Sequence, residues 1–146
     1  MLTGKQDSEK LMNAALPLAE EMLKDYGEFY PYGAYMKHDG EIVHVGAKDE
    51  DTDHPKSREL IYLLREHFKE MAAKGECKAI AIVADVLVHV PSKDKKADAI
   101  QVCMEHWDGY SIEVFVPYDR TDNGEVVYSP MFAHEREREI FPSASR

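Results

Sequence analysis

The sequence predicts an α+β domain in which two main helices pack against a single antiparallel sheet of five or six strands. Two segments carry apolar residues at helical spacing, which indicates two amphipathic helices. The other apolar segments are short and rich in β-branched residues, and glycine-containing turns separate them at hairpin distance. The predicted order of elements is α-β-β-α-β-β-β, and the hairpins in it favour antiparallel pairing.

The first helix is predicted to follow a loose terminus at residues 1–6 and to begin with Asp7 or Ser8 as its cap. Gly27 is expected to end it, because glycine adopts the left-handed conformation without steric cost. Pro17 lies inside the helical pattern and cannot donate a backbone hydrogen bond, so we expect a kink or a break there. The apolar stripe of this helix is Leu11, Ala14, Ala15, Leu18, Met22 and Leu23.

The second helix is predicted to start at Pro55, which suits a first helical turn, and to end at Gly75. Its expected apolar stripe is Leu60, Ile61, Leu64, Phe68, Met71 and Ala72. The expected strands cover residues 32–38, 41–47, 78–90, 97–106 and 110–118, with a short strand at 126–128. The whole chain, 1–146, is expected to form one domain with a weakly ordered C-terminal tail at 134–146.

The first hairpin is predicted from the Asp39-Gly40 pair, which is typical of a two-residue turn. A turn of that length sets Met36 opposite Val43. It leaves Tyr35 and His44 together on the other face of the hairpin.

The second hairpin is predicted to have a three-residue loop, because that loop opposes apolar residues to apolar residues. A two-residue turn would instead place Ser111 and Glu113 opposite apolar partners. The preferred loop is Trp107-Asp108-Gly109, with Gly109 left-handed. The expected pairs are Ile100 with Val116, Val102 with Val114, and Met104 with Ile112.

The predicted order of elements resembles the profilin-like and roadblock-like topology, in which two hairpin units flank a crossover helix. Known members of that architecture are mostly binding and scaffolding modules, but the resemblance is in the order of elements alone and implies no activity. The segment Gly27–Ala34 reads Gly-Glu-Phe-Tyr-Pro-Tyr-Gly-Ala. Together with Asp108-Gly109 and Val116-Pro117-Tyr118, it resembles a family of small uncharacterised bacterial proteins, and this second resemblance implies no activity.

The charge of the chain argues against two classes of function. There are 28 acidic and 18 basic residues, which gives a formal net charge of −10. Such a field repels nucleic acid and anionic membranes, so we expect no nucleic-acid and no membrane partner. The sequence contains two cysteines, Cys77 and Cys103, and no apolar leader segment is recognised. We therefore expect a cytoplasmic protein with reduced thiols.

No motif for a metal or a cofactor is recognised, so we expect neither. Asp49 to Asp53 has the alternating carboxylates that open a calcium loop, but His54 and Leu60 stand where that loop needs Gly and Glu. The seven histidines match no zinc pattern. Glycine-rich phosphate loops and a nucleophile elbow are absent from the sequence.

Asp85 is the candidate for a ligand-binding acid, because it interrupts a long apolar strand and faces the same way as His89. A pocket between the second helix and the sheet, with Tyr35 and His44 nearby, would make the protein a small-ligand binder or an enzyme. The structural alternative is that Asp85 meets a basic side chain or a backbone amide, or lies on a partly wet face.

The function that the sequence favours is a non-enzymatic, cytoplasmic protein-binding module, inhibitor-like, immunity-like or scaffold-like. Its acidic surface suits a basic protein partner, and a homodimer is the other assembly considered. Phe29, Tyr30, Tyr32 and Trp107 are the expected interface residues, because aromatic side chains give broad contact area. The structural alternative is that they cap the core.

Overall fold

The computed structural model describes residues 3–47, 56–91 and 96–142 of the 146-residue chain. In these residues, seven strands form one antiparallel sheet, and two helices cover it, one on each face. The predicted α+β class and order of elements are confirmed, with a slightly larger number of strands. The elements are α1 Gly4–Tyr26, β1 Tyr32–Met36, β2 Ile42–Gly46, α2 Ser57–Ala73, β3 Ala79–His89, β4 Lys96–His106, β5 Ser111–Arg120, β6 Val126–Tyr128 and β7 Phe132–Glu135.

The strands lie in the order β2-β1-β3-β4-β5-β6, and β7 also pairs with β5. β6 and β7 therefore occupy successive parts of one edge of β5, on either side of Pro130. β2 forms the opposite edge and is five residues long. The central strands β3 and β4 pair over eleven residues each, which places the long apolar strand in the middle of the sheet, as predicted.

Helix α1 begins earlier than predicted. Thr3 is the N-cap: its side chain accepts a hydrogen bond from the Gln6 backbone N–H, and the Gln6 side chain bonds back to the Thr3 backbone. Residues 4–6 therefore belong to the helix, which corrects the expectation of a loose terminus there and of a cap at Asp7 or Ser8.

Helix α1 continues through Pro17 to Tyr26, so of the two expected effects of Pro17, a kink or a break, the break does not occur. Pro17 and Asn13 both lie on the exposed side, so the missing hydrogen bond from Pro17 to the Asn13 carbonyl falls on the solvent face of the helix and not in the core. Gly27 ends the helix as predicted, with a φ of 85° and its N–H donated to the Leu23 carbonyl.

The alternation of side chains along β3 divides the core into two parts. Ala79, Ala81 and Val83 face α1, whose buried residues Leu11, Ala15, Ala19 and Leu23 recur every four positions. Ile80 and Ile82 face α2 and pack against a second cluster, which contains Leu64, Phe68, Met71, Cys77, Ile140 and Phe141.

Three hairpins of the sheet share one turn geometry. In each, a three-residue loop ends in a left-handed glycine: Gly40 (φ 97°), Gly109 (φ 109°) and Gly124 (φ 83°). The residue before each loop donates its N–H to the carbonyl four positions on, at 2.8–2.9 Å. This geometry confirms the predicted register of the second hairpin, in which Ile100 pairs with Val116 and Val102 with Val114.

The predicted register of the first hairpin is wrong by one residue. Its loop is His38-Asp39-Gly40, so Met36 pairs with Ile42 and Tyr35 pairs with Val43. Because side chains alternate across the sheet, this shift places Tyr35 and His44 on opposite faces. Both registers put apolar residues opposite one another in this hairpin, so the apolar pattern alone did not separate them.

The C-terminal segment is packed up to residue 142, in contrast to the weakly ordered tail expected from 134. β7 pairs with β5, and Ile140 and Phe141 are buried in the second core. The Glu105 carboxylate, 4% exposed, accepts hydrogen bonds from the backbone N–H groups of 139, 140 and 141 at 2.7, 2.9 and 2.6 Å.

Some expectations fall on residues outside the described ranges. They are the acidic run 49–53, the helix start at Pro55, the loop residues 92–95 and the last four residues of the chain. The described part of α2 begins at Ser57, with Lys56 as its N-cap and no side-chain capping bond.

We predict that Glu105→Ala lowers the free energy of unfolding by about 3 kcal/mol, because three buried N–H groups lose a charged acceptor. Chemical denaturation and limited proteolysis at residues 136–142 measure the effect. Glu137→Ala, an exposed position of the same segment, is the control. Equal denaturation midpoints for the two variants would show that Glu105 does not anchor this segment.

Candidate functional site

The four residues expected to bind a ligand do not meet in one place. Asp85 and His89 lie on the α1 side of β3, and their separation of four residues corresponds to roughly 13 Å along a strand. Tyr35 lies on the α2 side, with its ring edge-on to Phe68. The His44 Nε2 donates to the carbonyl of Ala14 in α1 at 3.2 Å. The expected pocket between α2 and the sheet therefore does not contain Asp85 or His89.

Asp85 ties two segments of the chain to the central strand. Tyr118 of β5 donates its hydroxyl hydrogen to Asp85 Oδ1 at 2.6 Å, and the Phe29 backbone N–H donates to the same carboxylate. Burial raises the pKa of Asp85, and the negative charges of Asp98 and Glu28 raise it further. Asp85 is thus a half-buried acid that hydrogen bonds hold in place, and no Lys or Arg among residues 3–47, 56–91 and 96–142 forms an ion pair with it.

A pocket of about 500 Å³ opens beside Asp85, between the C-terminal end of α1, the segment 28–30 that follows it, and Ser57 at the start of α2. We call it the Asp85 pocket. Its walls include two exposed tyrosines, Tyr26 with 77% and Tyr30 with 54% of its surface accessible to solvent. Its lining residues are Met22, Tyr26, Glu28, Phe29, Tyr30, Ser57 and Asp85.

The last two turns of α1, which contribute Met22 and Tyr26 to the Asp85 pocket, carry mostly acidic side chains. Glu20, Glu21 and Asp25 belong to the last two turns of α1, and Lys24 is the basic residue among them. The C-terminus of a helix carries a partial negative charge, which adds to that of the carboxylates. Arg120 bonds the Leu23 carbonyl at 2.9 Å from the β5 side.

The expected aromatic interface is divided by the fold. Phe29 and Tyr32 are buried in the first core, and the Tyr32 hydroxyl donates to the Ala15 carbonyl. Tyr30 precedes β1, whereas Trp107 lies at the far end of the sheet, where its ring meets His38 edge-on at 4.8 Å. Trp107 is 57% exposed. Tyr30 is therefore the expected interface residue that belongs to the Asp85 pocket and is also exposed.

Sequence reasoning missed a buried polar cluster at the start of α1. The Asp7 carboxylate, 1% exposed, lies 2.8 Å from His106 Nε2 and 3.3 Å from Lys78 Nζ. The Asp108 backbone N–H donates to His106 Nδ1, so Nε2 is the nitrogen that donates to Asp7.

This cluster is closed to substrates, since His106 is only 3% exposed, and its role is structural. The Asp108 carboxylate accepts the Gly4 N–H at 2.9 Å, which adds a further link to the helix start. A sequence signal for the cluster exists: Asp7 extends the four-residue spacing of the buried stripe that begins at Leu11.

A second cavity, of about 310 Å³, lies between α2, the C-terminal segment and the sheet. We call it the Arg136 cavity. Arg136 donates to Cys103 Sγ at 2.7 Å and contacts Glu113 and Glu139 at 3.3 Å each. Burial raises the pKa of the Cys103 thiol to about 11, so the sulfur is a neutral thiol at neutral pH and a poor nucleophile.

Comparisons of this chain with protein-family models, with curated proteins and with solved structures gave no match in any of the three. The two resemblances noted from the sequence therefore stay predictions. Among residues 3–47, 56–91 and 96–142, no group of three or more His, Cys, Asp or Glu side chains is placed to hold a metal ion. No helix in these ranges has the length and apolar character needed to cross a membrane.

We predict that Asp7→Ala lowers the free energy of unfolding by about 3–5 kcal/mol, because it leaves Lys78 without its buried counter-charge and the His106 Nε2–H without its acceptor. Denaturant titration measures the change. Glu9→Ala, an exposed position in the same part of α1, should shift stability by less than about 0.5 kcal/mol. A loss of equal size in both variants would contradict a structural role for Asp7.

Asp85 should make the stability of the protein depend on pH. Because its pKa is raised in the folded state, the folded protein holds this proton more tightly than the unfolded chain. The free energy of unfolding of the wild type, minus that of Asp85→Asn, should therefore fall as the pH rises from about 4 to about 7. Denaturation at a series of pH values measures this difference, and a constant or rising difference would contradict the burial argument.

Proposed function

We propose that this protein is a non-enzymatic, cytoplasmic protein-binding module, and that its Asp85 pocket receives a Lys or Arg side chain of a basic partner. The observation that carries the proposal is the combination, in one pocket, of two carboxylates with two exposed tyrosine rings. The two free cysteines suit a reducing compartment.

The chemistry of the Asp85 pocket favours a cation. The faces of tyrosine rings attract ammonium and guanidinium groups, and a cation enclosed by them gains about 0.5–2 kcal/mol. Asp85 and Glu28 add a direct Coulomb attraction. The raised pKa of Asp85 indicates that burial leaves its negative charge poorly compensated, so an incoming cation would stabilise the ionised form.

The role of Asp85 in this pocket is binding and not proton transfer. Its carboxylate already accepts hydrogen bonds from the Tyr118 hydroxyl and the Phe29 N–H, and these two bonds orient the carboxylate from two sides. Such support keeps a recognition group fixed before the partner arrives, and this lowers the entropy lost on binding.

The overall charge supports a different protein as the partner over a second copy of this chain. A net charge of −10 attracts a basic surface and raises its association rate, and it repels an identical chain. An inhibitor or immunity protein of a basic target, or a scaffold for one, has this charge relation to its partner.

The proposal is tested first with the pocket alone, by titrating the ¹⁵N-labelled protein with pentalysine or pentaarginine at low salt. We expect chemical-shift changes centred on Tyr26, Glu28, Tyr30 and Asp85. Tyr30→Ala should weaken binding about fivefold, because it removes one ring from the pocket. Tyr62→Ala removes an equally exposed tyrosine from α2 and should leave the affinity unchanged. Equal weakening in both variants, or shift changes spread over the whole acidic surface, would contradict a specific cation site.

A partner protein is then sought with a photo-cross-linking residue at position 30, and with the same residue at position 62 as the control. A partner that occupies the Asp85 pocket should be captured from position 30 alone, through a Lys- or Arg-containing peptide. Capture from both positions, or through an acidic peptide, would contradict the proposed mode of binding.

A further inference from the structure

The Arg136 cavity lies on the opposite face of the sheet from the Asp85 pocket and contributes nothing to the function proposed above. It occupies the place between α2 and the sheet where the sequence suggested a ligand pocket, but with different residues. We propose that it binds a small zwitterion with an aliphatic side chain, of the size and chemistry of free leucine.

The floor of the Arg136 cavity accepts an aliphatic group. Ile80, Ile82 and Ala84 of β3 form it, and Ile61 of α2 and Ile140 of the C-terminal segment flank it. None of the described residues that line the cavity is aromatic. A branched aliphatic side chain placed here would bury apolar surface against these residues, at about 25 cal/mol for each Å² removed from water.

The rim of the cavity is a chain of alternating charges. Arg65 Nε lies 3.2 Å from Glu139 Oε2, Arg136 contacts the other Glu139 oxygen at 3.3 Å, and Arg136 contacts Glu113 at 3.3 Å. Two guanidinium groups and two carboxylates therefore compensate one another. Glu105, a third acid of the lining, is committed to backbone N–H groups.

This balance of charge selects a zwitterion. A ligand with only a carboxylate would separate an arginine from its glutamate and leave that glutamate without a partner, and an amine alone would do the same to an arginine. A ligand with both groups lets its carboxylate meet the guanidinium fork and its ammonium meet the released glutamate, so every charge keeps a partner.

Arg136 is positioned before a ligand arrives. Its side chain is 23% exposed, and Cys103 Sγ and Glu113 hold it on the sheet side. Cys103 is a neutral thiol, so it orients the guanidinium without neutralising its charge. Glu139, at 41% exposure, has room to turn from the arginines toward the ammonium group of a ligand. The cavity volume of about 310 Å³ corresponds to the smallest class of ligand pockets, which suits a ligand the size of one amino acid.

The test compares three ligands that share one carbon skeleton, using isothermal titration calorimetry on the full chain. Leucine carries both charges, 4-methylpentanoate lacks the ammonium group, and 3-methylbutylamine lacks the carboxylate. We expect leucine to bind at least tenfold more tightly than either analogue, and more tightly than glycine, which cannot use the apolar floor. Binding of 4-methylpentanoate or of the amine at least as tight as that of leucine would overturn the zwitterion. Absence of leucine binding at about 10 mM would overturn the site.

Two variants localise the binding. Arg65→Gln should weaken leucine binding at least tenfold, because it removes one guanidinium of the rim. Arg58→Gln changes an exposed arginine of the same helix, outside the cavity, and should leave the affinity unchanged. Equal affinities in Arg65→Gln and wild type would overturn the proposed site. Pentalysine binding, measured in the same two variants, reports on the Asp85 pocket separately.

Discussion

The buried carboxylate of Asp7 is the constraint on which the placement of α1 depends. A buried carboxylate needs a counter-charge and hydrogen-bond donors, and Asp7 has Lys78 beside the start of β3 as its counter-charge and His106 at the end of β4 as its donor. The first turn of α1 is thereby attached to one end of the two central strands. Asp108 receives the Gly4 N–H at the same place, where a Cβ on Gly4 would overlap its carboxylate.

The length of α1 then determines which part of the sheet its C-terminal end reaches. Its 23 residues span roughly 34 Å, so a helix attached at Asp7 delivers its C-terminal turn near Asp85. Arg120 and Gly27 complete that end through the Leu23 carbonyl. The Asp85 pocket consequently lies where the fixed C-terminal end of this helix meets residues 28–30, which lead into β1.

The sequence was sufficient for the fold wherever one choice buried clearly more apolar surface than another. The second hairpin is the best example, because a single register opposes Val102 to Val114 on the core side. The first hairpin buries apolar residues in either register, so local pattern was not enough. The start of α1 was missed because the capping signal at Thr3 and Gln6 precedes the apolar stripe that drew attention to Asp7 and Ser8.

The sites were harder to predict than the fold, because they join residues that are distant in sequence. Asp7 lies 99 positions from His106, and Cys103 lies 33 positions from Arg136. The alternation of side chains along β3 correctly placed Asp85 and His89 on one face of the sheet. The neighbouring sequence did not indicate which helix would cover that face. Among these long-range contacts, the burial of Asp7 could have been predicted from the sequence, because Asp7 continues the four-residue spacing of the buried apolar stripe.

The edges of the sheet bear on how this protein meets other chains. One described edge is the five-residue β2, and the other is made of the three-residue β6 and the four-residue β7, with Pro130 between them. A proline has no N–H to offer, and such short segments give few consecutive backbone hydrogen bonds to an added strand. The edges of this sheet therefore offer few backbone hydrogen-bonding groups to an added strand. Such lateral addition of strands leads to fibrils in other β-rich proteins. Contacts with other molecules must be made mainly through side chains.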